Sequence, residues 1–313
     1  MKLRTFLLIC FYSLLASISY ADSIRIESIE ANGLSFRCRT AGNAASDRTV
    51  ILLHGFPESA HMWESTLLLL AQKGYYCIAP DLRGYSPKAR PKGIKNYCIH
   101  QLAKDVILIA KAKGIQKFHL VGHDWGAAIG WAICGKFPSQ IQSFVPLSVP
   151  HLSALASALK NDKEQRKMSA YAQFFQLPVW PEIVMKAKQF KQLKKTCWYL
   201  STPKQIEAYQ DVFSSPKALR SCLHYYRKNW NEMSLIASDL AIDSFHIPTT
   251  FIWGKNDTAL GATASKSAEK YMKGPYRFIV LDASHWLIQE KESEVHSILL
   301  QHLEDPNWFT KRN

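Results

Sequence analysis

Leu120-Val121-Gly122-His123-Asp124-Trp125-Gly126 runs from an apolar, β-rich stretch through a tight turn into a helical pattern. Small residues at either end of the turn let the backbone pass close to its neighbours, which pushes the central side chain out at the carboxyl edge of a strand. This is the pattern of a nucleophile elbow, carrying Asp124 where serine is commoner. Taken alone, the same aspartate reads equally well as an N-cap, because its carboxylate accepts from the free amides of a first helical turn.

Outward from that turn, short β-rich runs alternate with longer helical patterns, the signature of a parallel sheet with crossover helices. Strands are expected at 23–30, 34–40, 49–54, 75–79, 117–122, 141–147, 249–253 and 276–281. Helices are expected at 62–73, 98–113, 125–136, 262–272 and 287–303. The alternation stops at 151 and resumes at 248. The stretch between is rich in Lys, Gln, Tyr and Trp with helical periodicity, and reads as a helical cap (151–247) inserted between two parts of one core (22–150 and 248–313).

Three strand ends carry chemistry in one order. Asp124 follows the strand at 117–122, Asp257 closes Phe251-Ile252-Trp253-Gly254-Lys255-Asn256-Asp257, and His285 closes Val280-Leu281-Asp282-Ala283-Ser284-His285. Nucleophile, acid, histidine is the chain order such a triad requires. Each has an innocent reading as a turn residue; three in order, on the expected strands, do not arise easily by accident. Ahead of them, Val50-Ile51-Leu52-Leu53 runs into His54-Gly55-Phe56-Pro57-Glu58, where the amide of Phe56 is a candidate oxyanion donor beside that of Trp125.

These stretches, with Asp81-Leu82-Arg83-Gly84-Tyr85-Ser86, resemble the epoxide hydrolase and haloalkane dehalogenase branch of the α/β-hydrolase superfamily, over nearly all of the chain beyond residue 21. The resemblance implies an α/β class: a mostly parallel eight-stranded sheet flanked by helices, with an inserted helical cap and no metal or organic cofactor. Chemistry agrees with the branch. A carboxylate attacking an acyl carbonyl would give a mixed anhydride, whereas attack on a saturated carbon gives an alkyl ester. A histidine can hydrolyse that ester by activating water, held in place by an acid. Asp124 therefore points to epoxides or alkyl halides, with His285 as base and Asp257 as its partner.

Epoxide and halide differ in what leaves. Members that open epoxides usually present two cap tyrosines to the alkoxide. His224-Tyr225-Tyr226-Arg227-Lys228-Asn229-Trp230 resembles one such motif and places Tyr226 as a donor. In Tyr171-Ala172-Gln173-Phe174-Phe175-Gln176-Leu177-Pro178, alignment puts Phe174 where the second hydroxyl should be, leaving Tyr171 or Gln173 as substitutes. Tyr171, Phe174 and Trp125 are the expected substrate-contacting residues. For a halide, Trp125 supplies one N–H; Phe56 stands where many dehalogenases carry Asn, and Trp180 or Trp198 would have to serve as second donor. A secreted binding or effector protein on the same fold is the third reading.

At the N-terminus, Lys2 and Arg4, the apolar run 6–15 and the small residues Ser19 and Ala21 read as a cleaved secretory signal over 1–21, so a secreted or periplasmic location is expected. The formal net charge of +14 favours anionic partners. Its spread along the chain without arginine-rich blocks fits adhesion to acidic surfaces rather than nucleic acid. No membrane anchor is expected; the partners are a small hydrophobic substrate and at most a second copy. Six cysteines follow the signal, and an oxidising compartment leaves a Cys197–Cys222 bridge open.

Overall fold

Thr49–Leu53 and Tyr76–Pro80 are apolar on both faces, a pattern that suits strands covered on both sides, and every residue in both is buried. The computed structural model describes residues 23–239 and 245–310; the expected signal at 1–21 lies outside the described residues. Eight strands form one sheet: β1 (Arg25–Ala31), β2 (Leu34–Ala41), β3 (Thr49–Leu53), β4 (Tyr76–Pro80), β5 (Phe118–His123), β6 (Ile141–Leu147), β7 (Thr249–Gly254) and β8 (Tyr276–Leu281). Their order is β1-β2-β4-β3-β5-β6-β7-β8. β1, β2 and β4 pair antiparallel and every other neighbour pairs parallel.

Helices α1 (Glu64–Gln72), α2 (Ile99–Ala112) and α3 (Trp125–Lys136) cross between the early strands. α3 packs on β3, β5 and β6 and is buried without a break from Trp125 to Cys134. A helix with no polar face has to be interior, which places the elbow at the centre of the molecule. Register aligns the strand ends: Leu53 lies opposite Gly122, and Gly254 opposite Leu281. The loops after β3, β5, β7 and β8 therefore open on one edge, where ligands of parallel sheets bind.

Between β6 and β7 the chain leaves the sheet for α4 (Leu152–Asn161), α5 (Lys163–Met168), α6 (Tyr171–Phe174), α7 (Trp180–Thr196), α8 (Pro203–Ser214), α9 (Pro216–Asn229) and α10 (Met233–Asp239). Thr202 starts α8 with a reciprocal capping box to Gln205 and a proline at the first helical position, each satisfying or removing an orphan amide. α7 is broken at Ala187–Phe190, where Lys188, Gln189 and Phe190 take positive φ.

After β7 come α11 (Ala262–Ser267), α12 (Leu287–Glu290) and α13 (Glu292–Glu304). The expected helix at 262–272 stops being α at Ser267 and tightens into a 3-10 turn, Ala268–Tyr271. That at 287–303 is two helices: the Glu290 carboxylate accepts from the Ser284 amide at 2.6 Å, and Lys291 leaves the helical region at φ −136°, ψ 43°. The Cys197–Cys222 bridge is not formed. Both thiols are free; Cys222 sits buried on α9 beside Tyr85, while Cys197 follows α7 on the cavity wall.

Candidate active site

Gly126 has no room for a side chain: a Cβ there would stand 2.1 Å from the Leu53 carbonyl oxygen. That contact presses α3 onto the end of β3 and leaves Asp124 at φ 52°, ψ −122°. Such a backbone costs a non-glycine residue on the order of 1–3 kcal/mol and persists only where the surroundings dictate it. Gly55 is equally confined, its Cβ position lying 2.3 Å from that of Asp124. The next amide, Phe56 N–H, donates to Asp124 Oδ1 at 2.8 Å. Trp125 opens α3, so its N–H is among the amides that a helix start leaves unpaired. The Asp124 side chain does not cap the helix; it faces the cavity beneath α6, α7 and α9.

The other two strand ends converge on it. Asp257 Oδ1 accepts from the amides of Ala259 and Leu260 at 2.7 and 2.9 Å, and Oδ2 accepts from His285 Nδ1 at 2.7 Å. The same imidazole places Nε2 3.4 Å from Asp124 Oδ2. Burial works against charge on His285, but Asp257 and Asp124 on either side override it and push the imidazole up to about 10. Burial also opposes ionisation of Asp124, and His285, His123 and the Phe56 amide outweigh it, holding the carboxyl below its usual range. The site at rest thus holds His285 as an imidazolium against an ionised Asp124.

A second layer fixes His285 from behind, and beyond the motif positions of Glu58 and His123 no local sequence pattern marks it. The His285 carbonyl accepts from His123 Nε2 at 2.9 Å and from Ser148 Oγ at 2.8 Å. His123 Nδ1 lies 3.3 Å from Glu58 Oε2, both fully buried, and Glu58 Oε1 also receives Gln289 Nε2 and the Tyr209 hydroxyl.

Tyrosines come from the helices opposite. α9 is tied to the sheet edge: the Tyr225 hydroxyl donates to the Arg83 carbonyl at 2.7 Å, while Arg83 grips Asp105 with two bonds of 2.6 Å. Asn229 adds bonds to Ile99 N and Tyr97 O. Tyr226 is thereby held over the site, its ring 5.1 Å from that of Trp125 and 5.7 Å from that of Phe56. Arg227 next to it donates to the Phe175 carbonyl and pairs with Glu182 at 2.8 Å, joining α9 to α6 and α7. This linkage settles the ambiguity in α6. Tyr171 faces the site, its ring 6.1 Å from that of Tyr226 and its hydroxyl within the electrostatic reach of both Tyr226 and Asp124. Phe174 lines the cavity wall and Gln173 lines a separate cavity. Burial, and then the Asp124 charge, push both phenols upward, so both are protonated donors.

Asp124, Tyr171 and Tyr226 stand where two chambers meet. One, of about 420 Å³, runs past Phe174, Phe175, Met185, Leu193 and Trp286. The other, of about 30 Å³, is walled by Val149, Leu152, Leu155, Met233 and Leu260. Neither second halide donor is in place. The Trp198 indole N–H is used on the Pro57 carbonyl at 2.9 Å, and Trp180 is 64% exposed on the outside of α7.

Residues 48–292 match the α/β hydrolase fold family. The chain is similar to human epoxide hydrolase 4, 30% identical over a 290-residue alignment that covers 88% of this chain and 78% of that protein. Epoxide hydrolase A of Mycobacterium tuberculosis is 29% identical, with 88% and 96% covered. Among solved structures, Bacillus megaterium epoxide hydrolase in complex with an inhibitor superposes with a TM-score of 0.79 at 27% identity, over 89% of this chain and 100% of that one.

Proposed function

The chain belongs to the α/β-hydrolase superfamily and is a hydrolase most like the epoxide hydrolases; from that premise we propose that it opens a hydrophobic epoxide to a diol through an ester on Asp124. Asp124 attacks the less hindered ring carbon while Tyr226 and Tyr171 donate to the epoxide oxygen, and one of them gives up its proton as the C–O bond breaks. Esterification removes the negative charge that helped hold His285 protonated, so the imidazole can return a proton to the tyrosinate and become a base. It then takes a proton from water, which attacks the Asp124 carbonyl. The oxyanion is stabilised by the amides of Phe56 and Trp125. Collapse releases the diol and restores the Asp124 carboxylate and the imidazolium. The two chambers suit an epoxide with a long apolar arm on one carbon and a short one on the other.

The observation that carries the choice of epoxide is the pair of protonated phenols, Tyr171 and Tyr226, facing Asp124, together with the absence of a second free N–H for a halide at Trp198 or Trp180. Export through residues 1–21 belongs to the same proposal and rests on sequence alone. The test is intact-mass spectrometry of His285→Gln after exposure to apolar epoxides and to haloalkanes. The epoxides should leave a stable adduct of substrate mass on the peptide bearing Asp124. An adduct from haloalkanes alone, with halide released, would assign a dehalogenase; inertness toward both panels would favour ligand capture.

A further inference from the structure

The outer wall of the larger chamber is α7, and its two faces differ sharply. Met185 and Leu193 turn inward onto the cavity. On the outside, Trp180 and Ile183, one helical turn apart, are 64% and 54% exposed, and Leu177 and Val179 just before the helix and Leu200 just after it are 40–50% exposed, while Val184, 43% exposed, also lines the cavity. Contiguous apolar surface of this kind marks a binding face. Residues 177–200 also contain five lysines, Lys186, Lys188, Lys191, Lys194 and Lys195, against a single acid, Glu182. That acid is taken up by Arg227, and Lys188, Lys191 and Lys195 are exposed.

We propose that this face of α7 docks on an anionic phospholipid surface. Trp180 and Ile183 enter the headgroup region and the lysines pair with lipid phosphates, an arrangement that interfacial segments use. Charge decides the partner: exposed apolar residues close in sequence to the exposed Lys188, Lys191 and Lys195, on a chain of net charge +14, complement a negative interface better than the polar rim of another protein. Among the described residues no helix is long and apolar enough to cross a membrane, so the contact is peripheral. The docked pose sets the cavity wall against the lipid, where apolar molecules concentrate.

Vesicle sedimentation tests the surface without reference to catalysis. The processed chain, from Asp22 on, is used so that the apolar run 6–15 does not contribute. It should pellet with vesicles of equal parts phosphatidylcholine and phosphatidylglycerol and stay in solution with phosphatidylcholine alone. The Trp180→Ser/Ile183→Ser double variant keeps every charge, and should bind at least about tenfold more weakly with an unchanged thermal midpoint. Lys188→Gln/Lys191→Gln/Lys195→Gln should lose roughly a hundredfold, near fivefold per lysine. Undiminished binding of the serine variant would reduce the interaction to general electrostatics and overturn the proposal, as would failure of the parent to bind anionic vesicles or equal binding to neutral ones.

Discussion

The carboxyl edge of the sheet and the helices that cover it place their reactive side chains by different means. At the sheet edge, backbone places them: Gly126 against Leu53, Gly55 against Asp124, the amides of Ala259 and Leu260 on Asp257. In the cover, Tyr226 and Tyr171 are placed by side chains at a distance, through Arg83, Asn229 and Arg227. Backbone contacts of the first kind leave no freedom in residue type, whereas packing of the second kind leaves several side chains able to reach the same point.

The largest effect should come from the sheet edge. Asp124→Asn keeps the size of the side chain but removes the attacking carboxylate, and turnover of an apolar epoxide should fall by at least about ten-thousandfold in kcat. In the cover the loss should be shared: Tyr226→Phe and Tyr171→Phe each cost about ten- to a hundredfold, and the pair together about a thousandfold or more. A loss confined to Tyr226, with Tyr171→Phe silent, would show that the two helices do not act together.

Stability should separate the regions as well. Gly126→Ala has to displace the Leu53 carbonyl, and denaturant unfolding should show about 3 kcal/mol or more lost. Ile183→Ala on exposed α7 should stay within about 0.5 kcal/mol.

Acid should weaken the sheet first. Burial holds His54 and His119 down at about 4 and His302 at about 3. His302 Nδ1 and Nε2 contact Thr250 and Ser143, and His119 shares Ser143. Because their folded values lie below the unfolded value near 6.5, the unfolded chain takes up protons first. Stability is therefore intact above about pH 6.5 and is lost as pH falls toward 4. His285 runs the other way, its contribution present in acid and lost as pH rises toward 10. Unfolding midpoints at several pH values should show both limbs, and His302→Gln should flatten the acid one. The smallest effect is Phe174→Tyr, which should change turnover by less than about twofold, since Tyr171 already supplies the phenol.

The same division explains what could be read from the sequence. All eight strands were legible to within one or two residues: the central parallel ones are short apolar runs, and β1 and β2, which pair antiparallel, are β-rich runs separated by Asn32-Gly33. Asp124, Asp257 and His285 were legible for the same reason: each follows such a run. The helix at 287–303 was read as one piece because its break depends on the Glu290 side chain bonding back to the Ser284 amide. The resemblance alone puts Phe174 at the second tyrosine's place, and α6, four residues long, is too short for periodicity to fix which of its residues faces the site. The turn of α6 toward the site that brings Tyr171 in is held by Arg227, which ties Phe175 to α9. The layer of Glu58, Ser148 and Gln289 behind His285 joins residues far apart in the chain, and no local pattern announces it.

The central claim is a transient bond between Asp124 and a saturated carbon of the substrate. A single turnover in oxygen-18 water, with enzyme in excess over an apolar epoxide, tests it most directly. Water attacking the ester carbonyl should leave heavy oxygen in the Asp124 carboxylate, found by mass spectrometry of the peptide that bears it, and a first-turnover diol whose new oxygen is light. Heavy oxygen in that diol and none in the enzyme would mean that water attacks the epoxide directly, and would contradict the claim.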